Sequence, residues 1–332
     1  MHLIGIDIGG TKCAVVLGLA DKGNPVSAEP MILDKIKFTT EGSPGAIIDR
    51  LCRETEEIIS RHGLSKDDIA CIGINCGGPI DSRNGIILSP PNLIGWDDIH
   101  IVDIFEKRLG IRSKLQNDAN AGALAEWLFG AGRGCSNVMF ITFGTGFGAG
   151  LILDGRLYSG TNDMAGEVGH VRLADHGPVG FGKEGSCEGF CSGGGIVQLA
   201  GTKVLERLQM GEKVSFCNGI EDIEGLTAKI VGDAAEAGDE LAMEIYEISG
   251  RYLGKALSIF IDILNPEVIA IGSIFARSTD LLWPHAEKVI KKEALTHAQK
   301  VCRVVPAGLG ERIGDLEALS IAAYEMAKGG KQ

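Results

Sequence analysis

No uninterrupted apolar run in this chain approaches the roughly 18 residues that a membrane helix needs. The best candidates, 256–264 and 268–276, are short, and Asp262 breaks the first. A cationic excess is missing too. The net charge is −12, and no basic stripe of the kind that nucleic-acid binders carry is visible. A bound nucleotide stays compatible with that charge, because local backbone amides and a metal can hold phosphate. There is no cysteine framework either: nine cysteines, odd in number and scattered, fit reduced thiols better than disulfides. Nor does a leader-like segment precede the first strand-like run, so the reading is cytoplasmic, with neither a membrane nor a nucleic acid as partner.

What is present is an ordinary soluble composition. Hydrophobic residues make up 45% of 332, a length that suits roughly two domains. Strand-like runs at 3–8, 13–19 and 69–75 surround a helical pattern at 50–63, where Leu51, Ile58 and Ile59 share a face. A second strand pair, 138–143 and 150–153, is joined by "GTGFGAG". Helices near 239–264, 281–298 and 315–328 alternate with strands at 268–272 and 303–306, which predicts an α/β fold. "LIGIDIGGTKCAVVLGL" and "NVMFITFGTGFGAGLIL" share one design, a threonine-bearing glycine turn between two apolar strands. Two such hairpins predict two domains on one plan. The boundary is expected at 116–120, giving an N-terminal α/β domain at 1–117 and a larger one at 118–311. A last helix, about 312–329, is expected to pack back on the first domain.

Two glycine-rich stretches are decoys. The glycines at 144, 146, 148 and 150 miss the G-x-G-x-x-G spacing, and a strand follows where that fingerprint opens a helix. "GPVGFGK" (177–183) has P-loop spacing, but Glu184 stands where Ser or Thr should hold magnesium.

The chemistry concentrates in three places. In "DIGGTK" (7–12), Gly9 and Gly10 can take positive φ and turn N–H groups toward an anion, while Thr11 adds a hydroxyl and Lys12 a cation. Asp7, an anion inside an apolar run, becomes useful there through a hydrated Mg²⁺ between it and phosphate; a plain hairpin with Asp7 on a solvated face is the alternative. In "LQNDANAGALAEW", Asp118 falls at a helix start, where it is either an N-cap or a carboxylate free to accept a hydroxyl proton, with Asn117 beside it. In "AGEVGHV" and "SCEGFCSGGG", Glu167, His170 and Glu188 offer acceptors for adjacent hydroxyls.

Together these motifs resemble the ROK family (repressor, open reading frame, kinase) of sugar kinases, within the actin/hexokinase-like ATPase superfamily. The anchors are "DIGGTK", "GGPID" (77–81), "PPNLIGW" (90–96), "NDAN" (117–120), "GTGFGAG" (144–150), "GEVGH" (166–170) and "AIGS" (270–273). The resemblance implies two ribonuclease-H-like domains with ATP in a cleft between them, ATP and Mg²⁺ as cofactors, and a homodimer. It makes Asp118 the catalytic base. It puts Gly78, Asn92, Asn117, Glu167, His170 and Glu188 at the sugar, and Gly272 near the adenosine. Gly9, Gly10, Thr11 and Lys12 fall on one phosphate hairpin, with Asp7 near the metal; Gly144, Thr145 and Gly146 fall on the other.

One departure stands out. Many members carry a zinc site after the Gly-His pair, but Val179, Phe181 and Ser186 occupy its cysteine positions here. His170, His176, Cys187 and Cys191 form an alternative set, yet loop or core thiols are the simpler account, and no structural zinc is expected. The loop must then be held by packing, for instance by Phe181 and Phe190. An ATP-dependent hexose kinase is the leading reading. A sugar-responsive regulator of the same family, or a catalytically silent member, is the alternative; the hairpin starting at Leu3 leaves no room for a helix-turn-helix ahead of it. The sugar itself is not readable from the residues.

Overall fold

The computed structural model describes residues 1–329. Strands β1 (His2–Ile8), β2 (Lys12–Leu19) and β3 (Met31–Thr39) form an antiparallel meander. On the other side of β1, strand β4 (Ile69–Cys76) pairs in parallel. A small ribbon of β5 (Ile80–Asp81) and β6 (Ile86–Ile87) follows, and then β7 (Ser113–Asn117), which pairs in parallel with β4. The resulting order is β3-β2-β1-β4-β7. The same plan recurs in β8 (Val138–Phe143), β9 (Phe147–Leu153) and β10 (Arg156–Tyr158). Beyond a hairpin of β11 (Val179–Gly180) and β12 (Lys183–Glu184), strands β13 (Val268–Ile271) and β14 (Arg303–Pro306) complete the order β10-β9-β8-β13-β14. These two five-stranded sheets share the one plan that the repeated hairpin predicts, and they match the ribonuclease-H-like pair that the resemblance implies. The chain forms two compact units. Met1–Ser136, Gly150–Ala165 and the segment from Gly308 onward make the first, and Asn137–Ala149 with Gly166–Ala307 make the second.

In the first unit, strand periodicity sorts residues by face. Ile4, Ile6 and Ile8 of β1 join Val15, Leu17, Ile72 and Ile74 in a core with Ile47, Leu51 and Ile58 of the helix Pro44–Arg61. The opposite face carries Leu3 and Cys71, which pack on Leu319, Ala322 and Ala323 of the C-terminal helix Ile313–Gly329. That helix sits very close to the sheet because glycines lie beneath it. A Cβ at Gly5 would lie 3.1 Å from the Leu319 nitrogen, and one at Gly73 would fall 2.0 Å from the Ala318 carbonyl oxygen. Filling such a space costs about 1–3 kcal/mol or more. Gly5 pairs with Gly73, and Asp7 with Asn75, so two steps along the same face the glycine column gives way to polar side chains.

Several elements depart from expectation. The first helix starts at Pro44 rather than at 50, because Ser43 accepts the Ala46 N–H at 3.3 Å and Pro44 suits the first turn. Helix 281–298 is in fact Thr279–Glu293, with a separate short turn at Thr296–Gln299. Strand β9 begins at Phe147, inside the glycine motif, which shortens the second bend to Gly144–Gly146. Phe147 is held there edge-to-face against Phe143, with centroids 5.7 Å apart.

Candidate active site

In the first unit the bend between β1 and β2 is closed by the Gly9 N–H donating to the Lys12 carbonyl at 3.1 Å. Thr40 fastens it from β3's end: its hydroxyl donates to the Gly9 carbonyl at 2.6 Å and its N–H to the Thr11 carbonyl at 2.9 Å. Neither Gly9 nor Gly10 adopts positive φ, which corrects the expected reason for these glycines. The reason is room. A Cβ on Gly9 would meet the Lys12 oxygen at 2.8 Å, and one on Gly10 would meet the Asn92 carbonyl oxygen at 2.4 Å. Thus Asn92, on the exposed loop after β6, lies directly against the bend. Gly10, Thr11 and Lys12 all face solvent.

Asp118 opens the helix Asp118–Phe129, but it is not the cap. Asn117 caps, its Oδ1 accepting the Asn120 N–H at 2.7 Å. That engages one end of the Asn117 side chain and leaves the Asp118 carboxylate at the positive end of the helix, where it accepts the Ala119 N–H at 2.8 Å. Asp118 is open to solvent, yet the protein mass around it withholds enough water to push its carboxyl above the ordinary aspartate range, against the Ala119 N–H. Desolvation, and next the Asp118 charge, raise Asp7 to about 6, with Lys37 and Lys35 pulling the other way. Gly78 follows β4, half-buried, with open space where a side chain would stand.

Asn75 and Glu317 were not legible as part of this group. Asn75 is 2% exposed, and its Nδ2 donates to Asp7 Oδ1 at 3.3 Å and to Glu317 Oε2 at 3.1 Å. Among the described residues its Oδ1 finds no partner, so the two carboxylates set the orientation of the amide. Glu317, on the C-terminal helix, is driven well above the usual glutamate value by desolvation and then by the charges of Asp7 and Asp118. This answers why Asp7 interrupts an apolar strand: its face continues the glycine column to a point where an amide and a second acid meet it.

In the second unit the bend Gly144–Gly146 is closed by the Gly144 N–H on the Gly146 carbonyl at 3.1 Å. The Gly144 carbonyl accepts the Gly193 N–H at 2.8 Å, which places the start of the helix Gly193–Gln209 at the bend. The "SGGG" run was the available signal for that, since glycines at a helix N-terminus leave N–H groups uncovered. Gly272 continues β13, its N–H on the Ile141 carbonyl at 2.9 Å, and the following Ser273 has its hydroxyl 3.5 Å from a Cβ built on Gly144. The glycine expected near the adenosine is therefore beside the second bend.

Glu188 ties the same bend to the loop of candidate sugar residues. Its Oε2 accepts the Phe147 N–H at 3.1 Å. A Cβ on Gly169 would stand 3.3 Å from Glu188 Cβ, and one on Gly180 only 2.7 Å, so His170 and Phe181 extend from backbone that brackets Glu188. Glu167 is exposed one turn before His170, whose N–H donates to the Glu167 carbonyl at 3.2 Å. Phe190 packs as expected, stacked on Tyr252 at 3.5 Å. Phe181 does not: it is 72% exposed, touching the His170 ring edge-to-face at 5.3 Å, because it sits at the tip of the β11–β12 hairpin. His176 pairs with Glu184 at 3.3 Å, while Cys187 and Cys191 are buried thiols. Among the described residues, no three His, Cys, Asp or Glu side chains converge as a metal cage.

Comparison with known proteins gives this geometry its place. The chain is 32% identical over 316 residues to a glucokinase of Halalkalibacterium halodurans, covering 94% of this chain and 92% of that protein. A ROK family glucokinase from Streptomyces griseus, solved with glucose and AMPPNP, superposes with a TM-score of 0.72 at 27% identity, covering 99% of this chain and all of that one. A ROK family transcriptional regulator, a homologue of the E. coli Mlc protein, superposes with a TM-score of 0.83 at 26% identity, covering 99% of this chain and 79% of that one. The fold is that of the actin-like ATPases. With the ROK family profile matched over residues 3–325, the chain belongs to the ROK family.

Proposed function

We infer that this chain is an ATP-dependent carbohydrate kinase that moves the γ-phosphoryl group of ATP to a hydroxyl of a hexose. The observation that carries the reading is Asp118: a solvent-reachable carboxylate at a helix start, electrostatically coupled to Asp7 and in the same unit as the Gly9–Lys12 bend. Its raised pKa suits a group that must take a proton from a hydroxyl. The glucokinases among its relatives support the same reaction.

Asp118 accepts the proton of the sugar hydroxyl as that oxygen bonds to the γ-phosphorus, and the bond to the β-phosphate oxygen breaks to release ADP. Gly9, Gly10, Thr11 and Lys12 hold phosphate oxygens from one bend, and Gly144, Thr145 and Gly146 from the other. Gly272 lies toward the adenosine. Gly78, Asn92, Asn117, Glu167, His170 and Glu188 orient the sugar. Catalysis of this type is mostly positioning and charge stabilisation. A divalent ion, Mg²⁺ in this proposal, would neutralise charge on the β- and γ-phosphates. Asp7 fits it, because Mg²⁺ keeps most of its waters and asks for one or two carboxylates rather than a cage. All nine cysteines are free thiols, which supports a reducing, cytoplasmic setting, and the family likeness supports a homodimer.

A coupled ADP assay with ATP, Mg²⁺ and a panel of hexoses tests the reading. Glucose leads the panel, with N-acetylmannosamine, N-acetylglucosamine, fructose, allose and a β-glucoside beside it. Sugar-dependent ADP release is expected. Asp118→Asn should lower kcat by about 10²–10⁴-fold, the usual range for a general base, while sugar binding stays measurable. Sugar binding with no turnover by the unmodified protein would favour the regulator reading instead.

A further inference from the structure

Phe181 is a large aromatic residue that the fold leaves mostly uncovered. A bulky side chain at φ 42° is in the left-handed region that such residues avoid. Its ring is 72% exposed, although an aromatic that merely held the loop would be covered. Its position is nonetheless firmly set. Val179, two residues before it, is clipped on both sides by Gln198, whose Oε1 accepts the Val179 N–H at 2.8 Å while its Nε2 donates to the Val179 carbonyl at 2.8 Å. Lys183, two residues after it, donates from Nζ to the His170 carbonyl at 2.7 Å. The ring meets His170 edge-to-face, and the backbone of Gly180 presses against Glu188. The Phe181 and His170 rings are thus in contact, on backbone whose glycines 180 and 169 lie against the Glu188 Cβ, so one loop brings an apolar wall together with two polar residues.

That combination suits a hexose, which presents a face of C–H bonds and a rim of hydroxyls. Small-ligand sites pair an apolar or aromatic surface with a few placed polar groups in this manner. We propose that Phe181 is a specificity-determining residue, its exposed ring packing on the C–H face of the sugar whose hydroxyls His170 and Glu188 receive. This rests on the carbohydrate reading above and adds a contact to it. Sugars whose matching face carries an axial hydroxyl would lose this contact and be discriminated against.

The test compares Phe181→Gly, Phe181→Tyr and Glu188→Gln in the ADP assay, using glucose or the panel hexose that turns over fastest. Glycine relieves the positive φ, so loss of fold is not expected from it. Phe181→Gly should raise the sugar KM about tenfold, the scale of a lost aromatic contact, with kcat and the ATP KM within about twofold. Phe181→Tyr should restore the sugar KM. Should Phe181→Gly fail to fold, Phe181→Trp supplies the readout: saturating sugar should change its emission beyond the change seen in the unmodified protein. An unchanged sugar KM in Phe181→Gly, equal losses in Gly and Tyr, or no added emission change in Phe181→Trp overturns the proposal. If Glu188→Gln raises the sugar KM in the same experiment, only the Phe181 contact has failed. If Glu188→Gln also leaves the sugar KM untouched, the placement of the sugar at this loop fails with it.

Discussion

The two glycine bends share a plan but not a chemistry. The bend at Gly9–Lys12 stands among carboxylates: the Asp118 charge raises the proton affinity of Asp7, both raise that of Glu317, and a buried amide at Asn75 joins Asp7 to Glu317. The bend at Gly144–Gly146 is surrounded by neutral groups, the Ser273 and Thr142 hydroxyls and a helix N-terminus, and its carboxylate neighbour Glu188 is held on a backbone N–H. In the proposed mechanism the two bends divide the work. The first is assigned the protons and the cation; the second is built from backbone and meets Glu188 of the proposed sugar loop.

The sharpest way to break that symmetry is to add one methyl to each bend. At Gly10 it would collide with a backbone oxygen, that of Asn92, which cannot swing away. Gly10→Ala should lower kcat/KM by about a hundredfold or more, since small displacements of reacting groups carry penalties of that order. At Gly146 the methyl meets the Oε2 end of Glu188 at 2.9 Å, a group that can move. Gly146→Ala should then cost about tenfold, mainly through the sugar KM, because the Phe147 N–H would lose Glu188. Equal losses in steady-state kinetics, with the same split between kcat and KM, would contradict the division of work.

A smaller effect distinguishes the bends by pH. With Asp7 raised to about 6 and Asp118 raised as well, kcat/KM should fall on the acid side well above the ordinary aspartate value of 3.8. An acid limb near pH 4 in the pH–rate profile would mean that the acids are not coupled as described.

The smallest expected effect is on stability. Glu317 binds its proton more tightly folded than unfolded, so its contribution is complete below the unfolded value of 4.5 and is lost as pH rises through the higher folded value. Glu317→Gln removes that loss. It should raise the melting temperature at pH 8 by a few degrees, at about 2–4 °C per kcal/mol for units of this size, and the gain should vanish toward pH 4. A gain independent of pH would point to packing instead of charge.

How much of this was readable before the fold was known differs between the two bends for a physical reason. Both announced themselves, because a threonine-bearing glycine turn between apolar strands is a local signal. Asp7 stood out as a charge within an apolar run. Its partners did not: Asn75 ends another strand, and Glu317 lies among "DLEALS" near the other terminus, where helical periodicity gives an acid no distinction. A buried acid is also ambiguous in itself. Glu126 is fully buried, but its carboxylate accepts the N–H groups of Ala131, Gly308 and Leu309 at 2.8–2.9 Å, a satisfied structural clasp. Only three-dimensional neighbours separate the two glutamates. Strand β3 escaped notice because it is mostly exposed and rich in charge, and β7 because Leu115 is its single large apolar residue. Phe181 was read as packing because aromatic residues usually are; its exposure at a hairpin tip is not encoded by composition.

The central claim, transfer of phosphate to a sugar alcohol, is tested most directly by the ³¹P NMR spectrum of the protein mixed with ATP, Mg²⁺ and glucose or the panel hexose. A sugar phosphomonoester growing in step with ADP is the expected result. ADP accompanied by inorganic phosphate alone, or ATP left intact while the sugar binds, would contradict the claim.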